Sequence, residues 1–139
     1  MKTYRDLLVW QKAMVLVTEI YGVSKAFPQV EAYGLTSQLR RCAVSIPSNM
    51  AEGYERHSTQ DYLRFLQIAA GSLYELQTQV EISRNLGYLD RNEAERLYAL
   101  SREIERMLSS LIRKLHDKRP DLTFVPLPLC AFVTLCHKD

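Results

Sequence analysis

The chain has 139 residues, 47% of them hydrophobic and 24% charged, which excludes intrinsic disorder and makes one domain with its own core. Its 18 Lys and Arg against 16 Asp and Glu leave a formal charge of +2 and a pI of about 8.4. That is short of the basic footprint of a dedicated nucleic-acid-binding domain.

Only five glycines interrupt the chain, so long stretches without turn chemistry predict long helices. The first is expected over about Tyr4–Ala26, with Leu7, Trp10, Met14, Val17 and Tyr21 as its packing stripe. Pro28 stops it, because the residue before a proline is forced out of helical geometry. A second helix starts near Glu31 or Leu35 and runs to Tyr54, with Leu35, Leu39, Cys42, Ala43, Ile46 and Met50 inward. Pro47 within it predicts a kink eased by the hydroxyls of Ser45 and Ser48, and Gly53 marks its end.

Ser58 with Asp61 reads as a capping box that opens a third helix. Tyr62, Leu66, Ala69, Leu73, Leu76 and Val80 then alternate steps of four and three, the seam of a left-handed bundle. Gly71 in mid-helix costs about 1 kcal/mol relative to Ala, and close approach by another helix is the expected compensation. Gly87 stops this helix, and Asp90 with Glu93 caps a fourth that reaches Asp117 through Leu97, Leu100, Ile104, Leu108, Leu111 and Leu115. Short connections make an antiparallel up-and-down four-helix bundle the expected all-α fold, over residues 1–118.

Residues 119–139 form a separate Pro-containing apolar tail. Pro120, Pro126 and Pro128 predict extended chain over Arg119–Leu129, and Leu122–Cys136 is apolar apart from Thr123 and Thr134. This run is too short and too broken by prolines to span a membrane. Three placements stay open for it: folded over its own bundle, docked on a neighbouring subunit, or disordered.

Chemistry is sparse. Cys42, Cys130 and Cys136 are an odd set without C-x-x-C spacing, so a disulfide framework is not expected, and Cys42 reads as a buried free thiol. Cys130, Cys136 and His137 do not match zinc spacings, so no metal is expected. The N-terminus leads into an amphipathic pattern rather than a signal-peptide core, which points to a reduced, cytoplasmic compartment. His57, His116 and His137 share no nucleophile, inward Glu-x-x-His pairs are missing, and the glycines form no phosphate loop. Neither catalytic residues nor a cofactor are expected. The cluster Lys2, Arg5, Lys12 and the adjacent pair Arg40-Arg41 are the candidates for phosphate contacts. Gln38, Asn49, Glu52, Glu75 and Gln79 flank the apolar stripes and are candidates for pairing across helices or subunits.

Three segments are distinctive: Leu35-Thr36-Ser37-Gln38-Leu39-Arg40-Arg41-Cys42-Ala43-Val44-Ser45-Ile46-Pro47-Ser48-Asn49-Met50-Ala51-Glu52-Gly53, Val9-Trp10-Gln11-Lys12-Ala13, and Phe65-Leu66-Gln67-Ile68-Ala69-Ala70-Gly71-Ser72-Leu73-Tyr74-Glu75-Leu76. Together, over about Tyr4–Leu115, they resemble the bacterial four-helix bundle family first associated with open reading frames in 23S rRNA intervening sequences. The accessory variability proteins of diversity-generating retroelements are similar to that family. The resemblance implies a cytoplasmic, non-enzymatic homopentamer with nucleic acid, RNA or DNA, as a partner. The alternative is an interaction scaffold, with a protein partner on the ring or on the Leu122–Cys136 arm. Matched position by position, it marks Trp10, Arg40, Arg41, Pro47, Asn49, Glu52, Gly53, Gly71 and Glu75. Pro47 and Gly71 then resemble architectural devices, and Arg40, Arg41, Asn49 and Glu52 a polar network or subunit contact. Gln77 stands where the family more often has Glu, and Cys42 where it has Ala.

Overall fold

The computed structural model describes residues 2–118; the expectations for the tail, for Cys130, Cys136 and His137, lie outside the described residues. Four helices form: α1 (Leu8–Ser24), α2 (Leu35–Tyr54), α3 (Thr59–Asn85) and α4 (Arg91–Asp117). Short 3-10 turns at Tyr4–Asp6 and Gln29–Glu31 precede α1 and α2. Each helix packs on two others, α1 and α3 both lying against α2 and α4. Cross-helix pairs fix the directions. Lys12 meets Glu103 at 2.7 Å and Glu19 meets Arg96 at 3.3 Å, so α1 and α4 run antiparallel. Ser45 meets Ser72 at 2.9 Å and Cys42 meets Gln79 at 3.7 Å, which does the same for α2 and α3. The fold is the antiparallel four-helix bundle.

The termini follow from capping chemistry. Asp90 and Glu93 close a complete box on α4, with Glu93 N donating to Asp90 Oδ1 at 2.7 Å and Asp90 N to Glu93 Oε1 at 3.2 Å. Ser58 caps α3 by accepting from Asp61 N at 3.4 Å, but the reciprocal half of the expected box does not form and Asp61 turns to Arg64. Past α3, Gly87 adopts φ +77°, with Gly87 N bonding Arg84 O and Tyr88 N bonding Ser83 O. That is a left-handed helix stop, which a side chain would strain. A further box, Thr3 with Asp6, opens the Tyr4–Asp6 turn, so α1 proper begins four residues later than its pattern predicts.

The core is a single cluster drawn from all four helices. On α3 the expected seam holds: Leu66, Ala69, Leu73, Leu76 and Val80 are buried, with Tyr62 half-buried. On α1 the stripe is displaced. Leu7 is buried as expected, but Val9, Ala13, Leu16 and Ile20 carry the core, while Trp10 and Val17 are half-buried and Met14 and Tyr21 exposed. The two stripes lie one residue apart, about 100° around the helix, and both alternate steps of three and four. The interior between three other helices admits the slimmer set.

One glycine keeps its expected place and one does not. Gly53 is the penultimate residue of α2, at the helix end as expected, and it is buried. A Cβ there would stand 2.6 Å from Phe65 Cβ and 3.0 Å from Tyr62 Cδ2, so Gly53 allows α2 and α3 to approach closely there. Gly71, expected at a close approach, is exposed, and its missing Cβ would meet nothing within 4 Å. Pro47 does not end α2, which is continuous from Leu35 to Tyr54 with the proline ring buried. Ser45 bonds to Ser72 and Asn49, and Ser48 is exposed.

Gly53→Ala is expected to destabilise the bundle by about 1–3 kcal/mol, because the facing atom is a Cβ rather than a flexible side-chain end. A urea titration followed by helical circular dichroism measures it; an unchanged midpoint would mean that α2 and α3 separate freely there.

Candidate functional site

The five basic candidates do not converge. Lys12 is tied to Glu103 across the α1–α4 seam at 2.7 Å. Arg40 folds over the Tyr21 ring at 4.7 Å and donates from Nε to Ser24 Oγ at 2.8 Å, which joins α2 to the end of α1. Arg41, one position on, is exposed on the side of α2 that faces α3. Lys2 and Arg5 are exposed at the N-terminal end, where Arg5 stacks on Tyr4 at 5.8 Å. The adjacent arginines thus point to different grooves, as neighbours on a helix must.

The α2–α3 groove is polar, with a volume of about 480 Å³. Arg41 and Gln38 rim it from α2 and Glu75 from α3, with Tyr33 at one end. Two separate runs of hydrogen bonds start from its lining residues Ser45, Ser72, Cys42 and Glu75. Asn49 Nδ2 donates to Ser45 O at 2.8 Å and to Ser45 Oγ at 2.9 Å, and Ser45 meets Ser72. Gln79 donates to Glu75 at 3.1 Å and accepts from the Cys42 thiol. Asn49 and Glu75 each bond within their own helix, and the crossings between α2 and α3 are Ser45–Ser72 and Cys42–Gln79. Glu52 is exposed and pairs with Arg56, so it joins neither Asn49 nor the two arginines in a network. Burial, with the Glu75 charge second, pushes the Cys42 thiol up to about 12.

On the opposite side of α2 the groove is apolar, with a volume of about 310 Å³. Trp10, Met14 and Val17 form its α1 wall and Val44, Pro47 and Ala51 its α2 wall. Tyr4 packs edge-on against Trp10 with centroids 5.3 Å apart. Sequence reasoning placed Trp10, Met14 and Val17 in the core and so missed this groove. The signal was present in the competing stripe of Val9, Ala13, Leu16 and Ile20. On α3 the exposed Gly71 is flanked by exposed Ile68, Tyr74 and Glu75. Gln77 donates to Glu105 at 3.0 Å, and with Arg102 it holds that carboxyl below its ordinary pKa.

No group of three His, Cys, Asp or Glu among the described residues is placed to hold a metal ion, and no described helix is long and apolar enough to cross a membrane. The arrangement is that of a helical bundle with one polar and one apolar groove beside α2. The family profile described as 23S rRNA-intervening sequence protein matches residues 5–110, and the chain belongs to that family. A crystal structure of a protein of unknown function from the S23 ribosomal protein family of Bacteroides thetaiotaomicron has a similar fold, with a TM-score of 0.72 at 24% identity. The alignment covers 76% of this chain and 99% of that one. No curated protein matches the sequence.

The Cys42 thiol is expected to resist alkylation. Its folded pKa of about 12 exceeds the ordinary 9.0, so folding favours the neutral thiol. The resulting stability is whole below pH 9 and is lost as pH rises toward 12. Peptide mapping after iodoacetamide at pH 8 should find Cys42 unmodified in the native protein and modified in urea; rapid native labelling would contradict this burial.

Proposed function

We propose that the protein is a non-enzymatic self-assembling bundle, of five copies as the family resemblance implies, whose outer α3 faces take part in the subunit contacts. The observation that carries this reading is Gly71. A glycine in the middle of a 27-residue helix costs about 1 kcal/mol, and no packing among the described residues repays it. Exposed Ile68 and Tyr74 beside it supply apolar surface, and a residue without Cβ lets a second backbone come close.

Repetition of the chain would multiply its modest charge, and RNA is the partner we assign to that surface. The family's link to 23S rRNA and the solvent-facing Lys2, Arg5 and Arg41 support this reading. Among the described residues no carboxylate forms an ion pair with the side chain of any of these three. A protein partner on the same assembly is the competing reading, favoured if structured RNA fails to bind.

Gly71→Gln tests the contact. Helicity and the urea midpoint should be kept or raised, since an exposed Gln is a better helix former than Gly, while light scattering shows a smaller particle. Undiminished assembly would remove α3 from the interface. For the partner, structured RNA is titrated at low and moderate salt with the wild type and with Arg5→Ala/Arg41→Ala. Affinity should fall steeply with salt and the variant should show a shallower slope; no binding at low salt would exclude RNA.

A further inference from the structure

Resting on the RNA reading above, we infer that the α2–α3 groove takes one unpaired ribonucleotide of that RNA, with its base stacked on Tyr33, its phosphate on Arg41 and its ribose hydroxyl on Glu75. Tyr33 carries this furthest. It is 100% exposed, and among the described residues its ring has neither an aromatic neighbour nor a cation over it. The next most exposed ring among them, Tyr74, is 51% exposed and donates to Glu105. Tyr4 rests on Trp10, and Tyr21 lies beneath Arg40. Tyr33 therefore adds nothing to the packing of the described bundle and leaves its faces open to a ligand.

Its neighbours supply the other contacts. Tyr33, Ser37, Arg41 and Ser45 recur at steps of four along one wall of the groove, with Ser72 and Glu75 on the other. Arg41 comes about two helical turns after Tyr33, and no carboxylate among the described residues forms an ion pair with it. Glu75 accepts from Gln79 through Oε1, and its Oε2 has no donor among the described residues. Gln38 on the rim offers a base edge both a donor and an acceptor. A volume of about 480 Å³ lies within the range of small-ligand sites. The mixed charge selects the form of the RNA. A duplex hides its base faces and presents rows of phosphates, which one arginine opposite a carboxylate attracts poorly. An unpaired nucleotide shows a base face to an aromatic ring, and RNA adds the 2′-hydroxyl that can donate to a carboxylate.

The test titrates the full chain into a single-stranded oligoribonucleotide carrying 2-aminopurine, read by the probe's emission and anisotropy. Stacking on Tyr33 should quench the emission. Tyr33→Ala should abolish the quenching and weaken binding about five- to a hundredfold with the salt slope unchanged, while Tyr33→Phe keeps both. The urea midpoint should not move, because the ring packs on nothing in the described bundle. Arg41→Ala should instead lower the salt slope by about 0.7, one phosphate on a single strand. The deoxy strand should bind more weakly than the ribo strand, and Glu75→Ala should remove that difference. If Tyr33→Ala binds and quenches like the wild type, or if the wild type holds ribo and deoxy strands equally, the proposal is overturned and the RNA reading stands. If the wild type binds no RNA at low salt, both fall.

Discussion

The α2–α3 seam is the constraint on which the rest of the bundle depends. Gly53 removes the one Cβ that would collide with Phe65, so the two helices approach closely at that end. Farther along, Ser45 with Ser72 and Cys42 with Gln79 keep the contact polar but satisfied. With α2 committed on that side, its opposite face meets α1 through Ala43 and Ile46 in the core and the buried ring of Pro47 beside them. The outer edges of α1 and α2 then diverge and leave the Trp10–Pro47 groove. One close seam and one open groove are two consequences of the same placement of α2.

The helix inventory was legible because it rests on local chemistry. The Asp90–Glu93 box, the left-handed Gly87 and the α3 seam are each specified by residues a few positions apart. What the sequence did not fix is which of two equivalent stripes turns inward. On α1 both stripes have helical spacing, and the choice depends on the room left by three other helices. Gly71 carries the same lesson. A mid-helix glycine announces an unusual demand without saying whether it comes from within the chain or from outside it.

The candidate site was legible only in part, for a geometric reason. Arg40 and Arg41 are adjacent in sequence, yet about 100° of helical rotation sends one to Tyr21 and Ser24 and the other to the α2–α3 groove. Lys12 looks free in the sequence because its partner, Glu103, lies 91 positions away. Charges that seem to cluster along the chain are thereby divided between structural pairing and open surface. Lys2, Arg5 and Arg41 remain for a polyanion. Their number is small for a single copy, so the proposed RNA contact depends on the proposed assembly.

The proposed function therefore rests on assembly. Native mass spectrometry of the purified full chain at micromolar concentration is the test of it. One dominant species at five times the 16.1 kDa chain mass is expected. A monomer that persists across the micromolar range would contradict it.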